Sequence, residues 1–335
     1  MTPTTLERAV FGIFSTHSLH LAAKHGLFAA LVARPDRTPA ELAIDLGVDE
    51  ATLERLVLVL TSTGVLSQSG GRVRVTDDAV PYVDPESPRC LLGFVEHLVA
   101  DTAERMGHLD DYLRKGKAAV DAGLPAPFEV IYRDEESTRR FVTAMWQLSF
   151  HVSDELARLA ELGDARRLVD VGGANGPFSA AALGVYPRLR STVFDLPAVA
   201  PHLAETARAH GLGERLCFQA GDFFADPLPE GDCVAFGYIL SDWDDETCAM
   251  LLRKAYDALP PGGRVLVMDR LFDADRSGPQ ATAVMNLSMY FETEGRHRTE
   301  AELTGLLRRA GFDGCSVRRS SADKHLVLGT RGARR

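Results

Sequence analysis

The sequence predicts an open α/β sheet of the doubly wound kind, preceded by a mainly helical N-terminal region. Three observations carry that prediction. Residues 168–176, Leu-Val-Asp-Val-Gly-Gly-Ala-Asn-Gly, join a short apolar run to a glycine turn, and an amphipathic segment from Phe178 to Leu183 follows. Nineteen residues past Gly176, a second apolar run that starts at Ser191 ends at Asp195. After Gly163 the pattern alternates between strand and helix, whereas the residues before it are mostly helical in period. A strand, a glycine turn, a helix and an acid at the tip of the next strand is how such a sheet binds a nucleoside.

Taken in order, Leu6 to Leu31 place apolar residues at helical spacing: Val10, Ile13, Phe14, then Leu21, Leu27, Phe28 and Leu31. Thr38-Pro-Ala-Glu reads as an N-cap with proline at N1 and an acid at N3, opening a short helix through Leu46. A further helix spans about Glu50 to Thr63, and Arg72-Val-Arg-Val-Thr after Gly70-Gly71 alternates like a small hairpin. Three helices and a hairpin make a winged helix. The last of these helices carries two acids, one arginine and an apolar face, which suits burial against a protein chain rather than DNA. Residues 81–90 hold three prolines and read as a linker, and 91–162 are helical apart from Gly123-Leu-Pro-Ala-Pro. Strands are expected near 168–171, 191–194, 216–219, 232–238, 264–268 and 324–330, with helices between them. The expected domains are therefore 1–88, a helical segment 89–162 that contributes to a substrate pocket, and 163–335.

Composition narrows the class. At 335 residues the chain suits two domains, and 45% apolar with 25% charged residues is globular. A net charge of −10 argues against a nucleic-acid partner. No apolar run reaches the roughly 18 residues needed to span a bilayer, and Met-Thr-Pro-Thr-Thr-Leu-Glu-Arg lacks the features of a secretory signal. Five scattered cysteines without CxxC spacing point to reduced thiols in a cytoplasm and against a cysteine zinc site; no metal is expected.

The segments after Asp195 carry the chemistry. Cys217-Phe-Gln-Ala-Gly-Asp-Phe-Phe is a third strand ending at Gly221-Asp222-Phe223, beside the position of a nucleoside base. Asp222 can accept from an exocyclic amine while Phe223 packs on the ring; the plainer alternative is a β-turn in which Asp222 stabilises its own backbone. A fourth strand, from Phe236, ends at Ser241-Asp242-Trp243, and Pro260-Pro-Gly-Gly-Arg leads into Val265-Leu-Val-Met-Asp269.

Together these residues resemble the S-adenosylmethionine-dependent small-molecule O-methyltransferases of the plant caffeate and bacterial hydroxyneurosporene and antibiotic type. Asp170 to Gly176, Phe194-Asp-Leu-Pro197, Gly221-Asp-Phe-Phe224, Ser241-Asp-Trp243 and Pro260-Pro-Gly-Gly263 match in order and spacing. Phe141-Val-Thr-Ala-Met145 before the glycine turn and Arg298-Thr-Glu-Ala-Glu after it match too, so nearly the whole chain is covered. The resemblance implies a Rossmann-like methyltransferase sheet with an N-terminal winged-helix dimerisation domain, a homodimer, and S-adenosyl-L-methionine as cofactor. It implies that Gly172 and Gly176 pass close to the methionine part, that Asp170 and Gly173 belong to the cofactor site, that Asp195 binds the ribose hydroxyls, and that Leu196 and Phe223 flank adenine. Gly221, Asp222, Ser241 and Trp243 complete the implied cofactor set. Ala174 stands where the family usually has a third glycine.

The larger departure is at the base. The family reads His-Asp-Trp where this chain has Ser241-Asp-Trp, and its two supporting carboxylates fall at Asp269 and His297. Phenols have a pKa of about 10, and general-base help is worth roughly 100- to 10,000-fold. Either His297 has taken over as base with Asp269 orienting it, or His151 has. His97 and His108 are weaker candidates. Otherwise the chemistry needs no base: C-methylation of an activated ring, or an acceptor already ionised. A reaction without methyl transfer on the same scaffold (a decarboxylation, hydroxylation or cyclisation) is a further alternative. A flat aromatic acceptor is expected among Phe128, Met145, Trp146, Phe150, Met285, Met289, Tyr290 and Phe291, about half of them lining the pocket.

Overall fold

The computed structural model describes residues 4–332, apart from the side chain of Asp101. Met1–Pro3, which begin the segment read above for a signal sequence, lie outside them. The chain divides into two compact units, one up to Glu104 and one from Arg105, so the expected segment 89–162 is shared between them.

In the first unit the helical period from residue 6 to 31 is broken by Gly26 in the left-handed region, giving helices Thr4–Lys24 and Leu27–Ala33. Thr38 caps Pro39–Leu46 with a full capping box: its hydroxyl accepts from the Glu41 N–H, and Glu41 accepts from the Thr38 N–H. Helix Glu50–Ser62 and the antiparallel hairpin β1 (Leu66–Ser69) and β2 (Arg72–Val75) follow, as expected in order and type. Leu27, Phe28, Leu31, Leu42, Leu60 and Val73 form this unit's core.

The second unit is built on a sheet whose strands are β3 (Arg167–Val171), β4 (Arg190–Asp195), β5 (Leu216–Ala220), β6 (Cys233–Gly237), β7 (Arg264–Phe272), a two-residue β8 (Arg298–Thr299) on the end of β7, β9 (Phe312–Arg318) and β10 (Lys324–Arg331). Their spatial order is β5-β4-β3-β6-β7-β10-β9; β3 to β7 run parallel, and β10 is antiparallel to both β7 and β9. Both faces are covered, which is why the central strands read as continuous apolar runs. Leu168, Cys233, Ala235, Leu266, Met268, Leu326 and Leu328 face helices Glu135–Ala160 and Pro177–Val185. Val169, Val171, Val234, Phe236, Val265 and Val267 face Asp245–Ala258 and Glu300–Arg309. Phe194 and Phe236 are almost wholly buried, worth roughly 2–3 kcal/mol each. β9 was not expected; it is an edge strand with only Phe312 fully buried. The strand order reverses at β3, so a crevice opens beyond the carboxyl ends of β3, β4 and β6. Among the described residues no helix is long and apolar enough to cross a membrane.

Candidate active site

The glycine turn after β3 is shaped by what its neighbours leave room for. Gly172 has φ +64°, and a Cβ there would lie 2.4 Å from Ile239 Cδ1. A Cβ on Gly173 would lie 2.7 Å from the Asp170 carboxyl carbon, and one on Gly176, at φ +79°, 2.8 Å from Leu203. Ala174, at φ +48°, accepts a left-handed backbone with its methyl group in place, and its N–H donates to Asp195 Oδ2 at 2.8 Å. The Leu196 N–H donates to Asp195 Oδ1 at 2.7 Å. Burial nevertheless pushes the Asp195 carboxyl up to about 6, against the lowering effect of those two N–H groups. Asp170, buried on β3, accepts from Ser179 at 2.6 Å and is also pushed up to about 6 by burial.

Gly221 ends β5 where a Cβ would strike the Phe194 ring at 2.2 Å. Asp222 faces the crevice and also closes a local turn, its Oδ1 accepting from the Phe224 N–H at 2.8 Å. Trp243 stacks on Phe128 (centroids 5.7 Å apart, 25°) and meets the edge of Phe224 at 4.8 Å. Its buried Nε1–H has no hydrogen-bond partner among the described residues.

These groups surround a cavity of about 340 Å³. Of the residues expected around cofactor and acceptor, Asp170, Gly172, Gly173, Asp195, Leu196, Gly221, Asp222, Phe223, Trp243, Met145 and Phe128 line it. Gly176, Ser241, Asp269 and His297 are not among its lining residues; Ser241, Asp269 and His297 are buried. Trp146 and Phe150 do not line it: Phe141, Met145 and Ser149 share the helix face that does, and Trp146 and Phe150 are turned one residue, about 100°, onto the next face. There they stack on each other (4.3 Å) and against His210. Helix Gln280–Glu292 carries Met285, Met289 and Tyr290, none of which lines the cavity; Tyr290 and the buried Phe291 pack on Tyr112 instead. His151 is also absent from the lining, as are His108 and His97, the latter in the first unit. Tyr132, Tyr238, Ile239, Asp242 and Lys324 line the cavity without having been singled out, although Tyr238, Ile239 and Asp242 belong to the strand-end segment whose neighbours were.

Beyond β6 lies a second cluster of polar groups. The loop 293–297 is packed on Ser241–Trp243: Glu294 N–H donates to the Asp242 carbonyl at 3.0 Å, and a Cβ on Gly295 would lie 2.1 Å from the Ser241 carbonyl oxygen. Arg298 donates to the carbonyls of Leu240 (2.6 Å) and Trp243 (2.8 Å) and pairs with Asp245. His297 Nδ1 lies 3.0 Å from Asp269 Oδ1, and its N–H donates to Asn286 at 2.8 Å. Among the described residues, the buried His297 Nε2 and Ser241 Oγ have no hydrogen-bond partner. With Nδ1–H donated to Asp269, Nε2 is the lone-pair nitrogen, the form a proton acceptor needs. Asp242 is held well above the usual carboxylate range by burial first, and then by Asp269 and Glu292.

A cavity with a close-approach glycine turn, a buried acid at the β4 tip and an orphaned indole N–H fits a nucleoside-bearing ligand such as S-adenosylmethionine. Comparison with known proteins agrees. Residues 106–313 match a family model described as an O-methyltransferase domain. The chain is 36% identical over 310 residues, 92% of its length and 89% of the relative's, to 3-hydroxy-5-methyl-1-naphthoate 3-O-methyltransferase of Streptomyces sahachiroi. It is 30% identical over 329 residues to human acetylserotonin O-methyltransferase, covering 95% and 94% of the two chains. The crystal structure of human N-acetylserotonin methyltransferase with S-adenosylmethionine superposes with a TM-score of 0.90 at 29% identity, covering 98% of this chain and 97% of that one. A methyltransferase of calicheamicin biosynthesis, with S-adenosylhomocysteine bound, gives 0.80 at 26% identity over 97% of each. The chain belongs to the S-adenosylmethionine-dependent O-methyltransferases that act on small molecules.

Proposed function

We propose that this enzyme methylates a hydroxyl of a small aromatic acceptor, with His297, oriented by Asp269, serving as base where the family has histidine at position 241. The observation that carries this reading is the 3.0 Å contact between His297 Nδ1 and Asp269, with the buried Nε2 left unpartnered. The cofactor, when bound, supplies a methyl group on a sulfonium. Asp195 holds the ribose, Phe223 and Trp243 the adenine, and Met145 and Phe128 the space toward the acceptor. In this reading the acceptor oxygen would lose its proton to His297 Nε2 as it is methylated. The naphthoate substrate named for the Streptomyces relative supports an aromatic ring, as do the aromatic walls; that relative and the calicheamicin enzyme support a place in antibiotic biosynthesis. The five cysteines are free thiols, in keeping with a cytoplasmic protein.

With a hydroxylated aromatic acceptor that is turned over, His297→Ala should lower kcat at least 100-fold with cofactor affinity kept, whereas Ser241→Ala should cost under tenfold. Full turnover in His297→Ala would sink the assignment. A second reading rests on Asp242, the carboxylate that itself lines the cavity: if it takes the proton, Asp242→Asn is the variant that loses turnover. Failure to form S-adenosylhomocysteine with any acceptor would instead point to a reaction without methyl transfer.

A further inference from the structure

We infer that Lys324 binds the carboxylate at the methionine end of the cofactor. β10 runs antiparallel to the parallel strands, so its first residue comes level with Arg270, near the carboxyl end of β7. Alternation along β10 puts Lys324 on the same face as Leu326 and Leu328, under helix Glu135–Ala160. From there its side chain reaches across Met268 to β6. A Cβ on Gly237 would lie 3.4 Å from Nζ and 3.6 Å from Met268 Cε, which places Nζ beside the end of β6. Nζ donates to Ser149 Oγ at 3.2 Å and stands 3.8 Å from the centre of the Tyr238 ring. Tyr238 occupies the left-handed region (φ +60°), which few non-glycine residues adopt.

Lys324 is 3% exposed, yet lines the cavity. An ammonium has three protons to donate, and among the described residues its hydrogen-bond partner is Ser149. The other lining residues with acidic or basic side chains are all acids, Asp170, Asp195, Asp222 and Asp242. They suit the sulfonium and the α-ammonium of the cofactor, whereas its one anionic group needs a cation. Lys324 is the lining residue that offers one. The inference rests on the reading of Asp195 as the ribose ligand, which directs the methionine end past Gly172 and Asp170 toward Gly237.

Burial lowers the Lys324 pKa to about 8, with Asp269 and Asp170 opposing and Arg270, itself paired with Asp323, adding to the shift. An anion brought against Nζ raises it again, so binding near pH 8.5 takes up a proton.

The test is calorimetry on the full chain with S-adenosylhomocysteine and with S-adenosyl-3-thiopropylamine, which keeps the amine and lacks the carboxylate. Lys324→Met should weaken the first at least tenfold and the second by less than twofold, and Lys324→Arg should recover part of the loss. Proton uptake at pH 8.5, read from buffers of different ionisation enthalpy, should disappear in Lys324→Met. Equal affinity of wild type and Lys324→Met for S-adenosylhomocysteine, or equal weakening of both ligands, would overturn the inference. Asp195→Ala should weaken both ligands alike; if it weakens neither, the placement of the ribose fails independently of Lys324.

Discussion

Asp195 shows how a single side chain is tuned by competing effects. Its two oxygens each accept one backbone N–H, from Leu196 and Ala174, which anchors the carboxylate and leaves lone pairs facing the cavity. The N–H groups favour the ionised form, but burial outweighs them and the folded pKa rises to about 6. The sign follows from linkage: a carboxyl raised above its unfolded value contributes stability below that value, and the contribution is lost as pH rises through about 6. Asp170 acts in the same direction. The ligand-free protein should therefore melt at lower temperature at pH 7 than at pH 5 as far as these two groups decide it, and Asp195→Asn should shrink that difference. A diol binds the ionised form, so affinity for S-adenosylhomocysteine should fall by up to tenfold per pH unit below about 6. Calorimetry between pH 5 and 7.5 checks this, and Asp195→Ala should lose both that slope and roughly 1.5–3 kcal/mol of binding at neutral pH.

At the scale of elements, the His297–Asp269 cluster proposed as the base lies next to a loop held by backbone contact. Gly295 has no room for a side chain against the backbone of Ser241 to Trp243, and Arg298 ties the same turn from the other side through two carbonyls. Backbone atoms cannot rotate away as a side chain would. Gly295→Ala should therefore lift the loop, move His297 and Trp243, destabilise the fold by about 1–3 kcal/mol and lower turnover at least tenfold. A variant with wild-type melting temperature and turnover would show that the loop does not position the cluster. Local elements of this kind divide into those a sequence reveals and those it conceals. The glycine turn and Asp195 are legible because a strand, a turn and a helix fix their spacing within thirty residues of chain. The capping box at Thr38 is legible for the same reason. Trp146 and Phe150 misled because an aromatic cluster on a helix does not state which face meets the ligand. The juxtaposition of His297 with Asp269, 28 residues apart in sequence, came into view only through resemblance to a family. Lys324 had no signal at all, since its place depends on β10 being antiparallel and level with Arg270.

At the scale of the whole molecule, the N-terminal unit carries a surface that its own core does not use. Helix Thr4–Lys24 exposes Leu6, Val10, Ile13 and Phe14, spaced as one helical stripe, with Phe11 beside them, each more than half exposed. The helix contributes Ala22 to the unit's interior, with Leu19 and Ala23 packed against it, so the buried and exposed apolar residues lie at opposite ends. An apolar stripe of this length left in water is unfavourable by roughly 25 cal/mol per Å² and marks a protein interface more often than a free surface. Closed, self-complementary pairing is the commonest way such a stripe is covered. We therefore predict a homodimer through this helix, as the family resemblance implies. Light scattering at micromolar concentration should give twice the chain mass, and the double substitution Val10→Glu with Phe14→Glu should give a folded monomer. A wild-type monomer under those conditions would count against the dimer, and an unchanged dimer in the double variant would move the interface elsewhere on the chain.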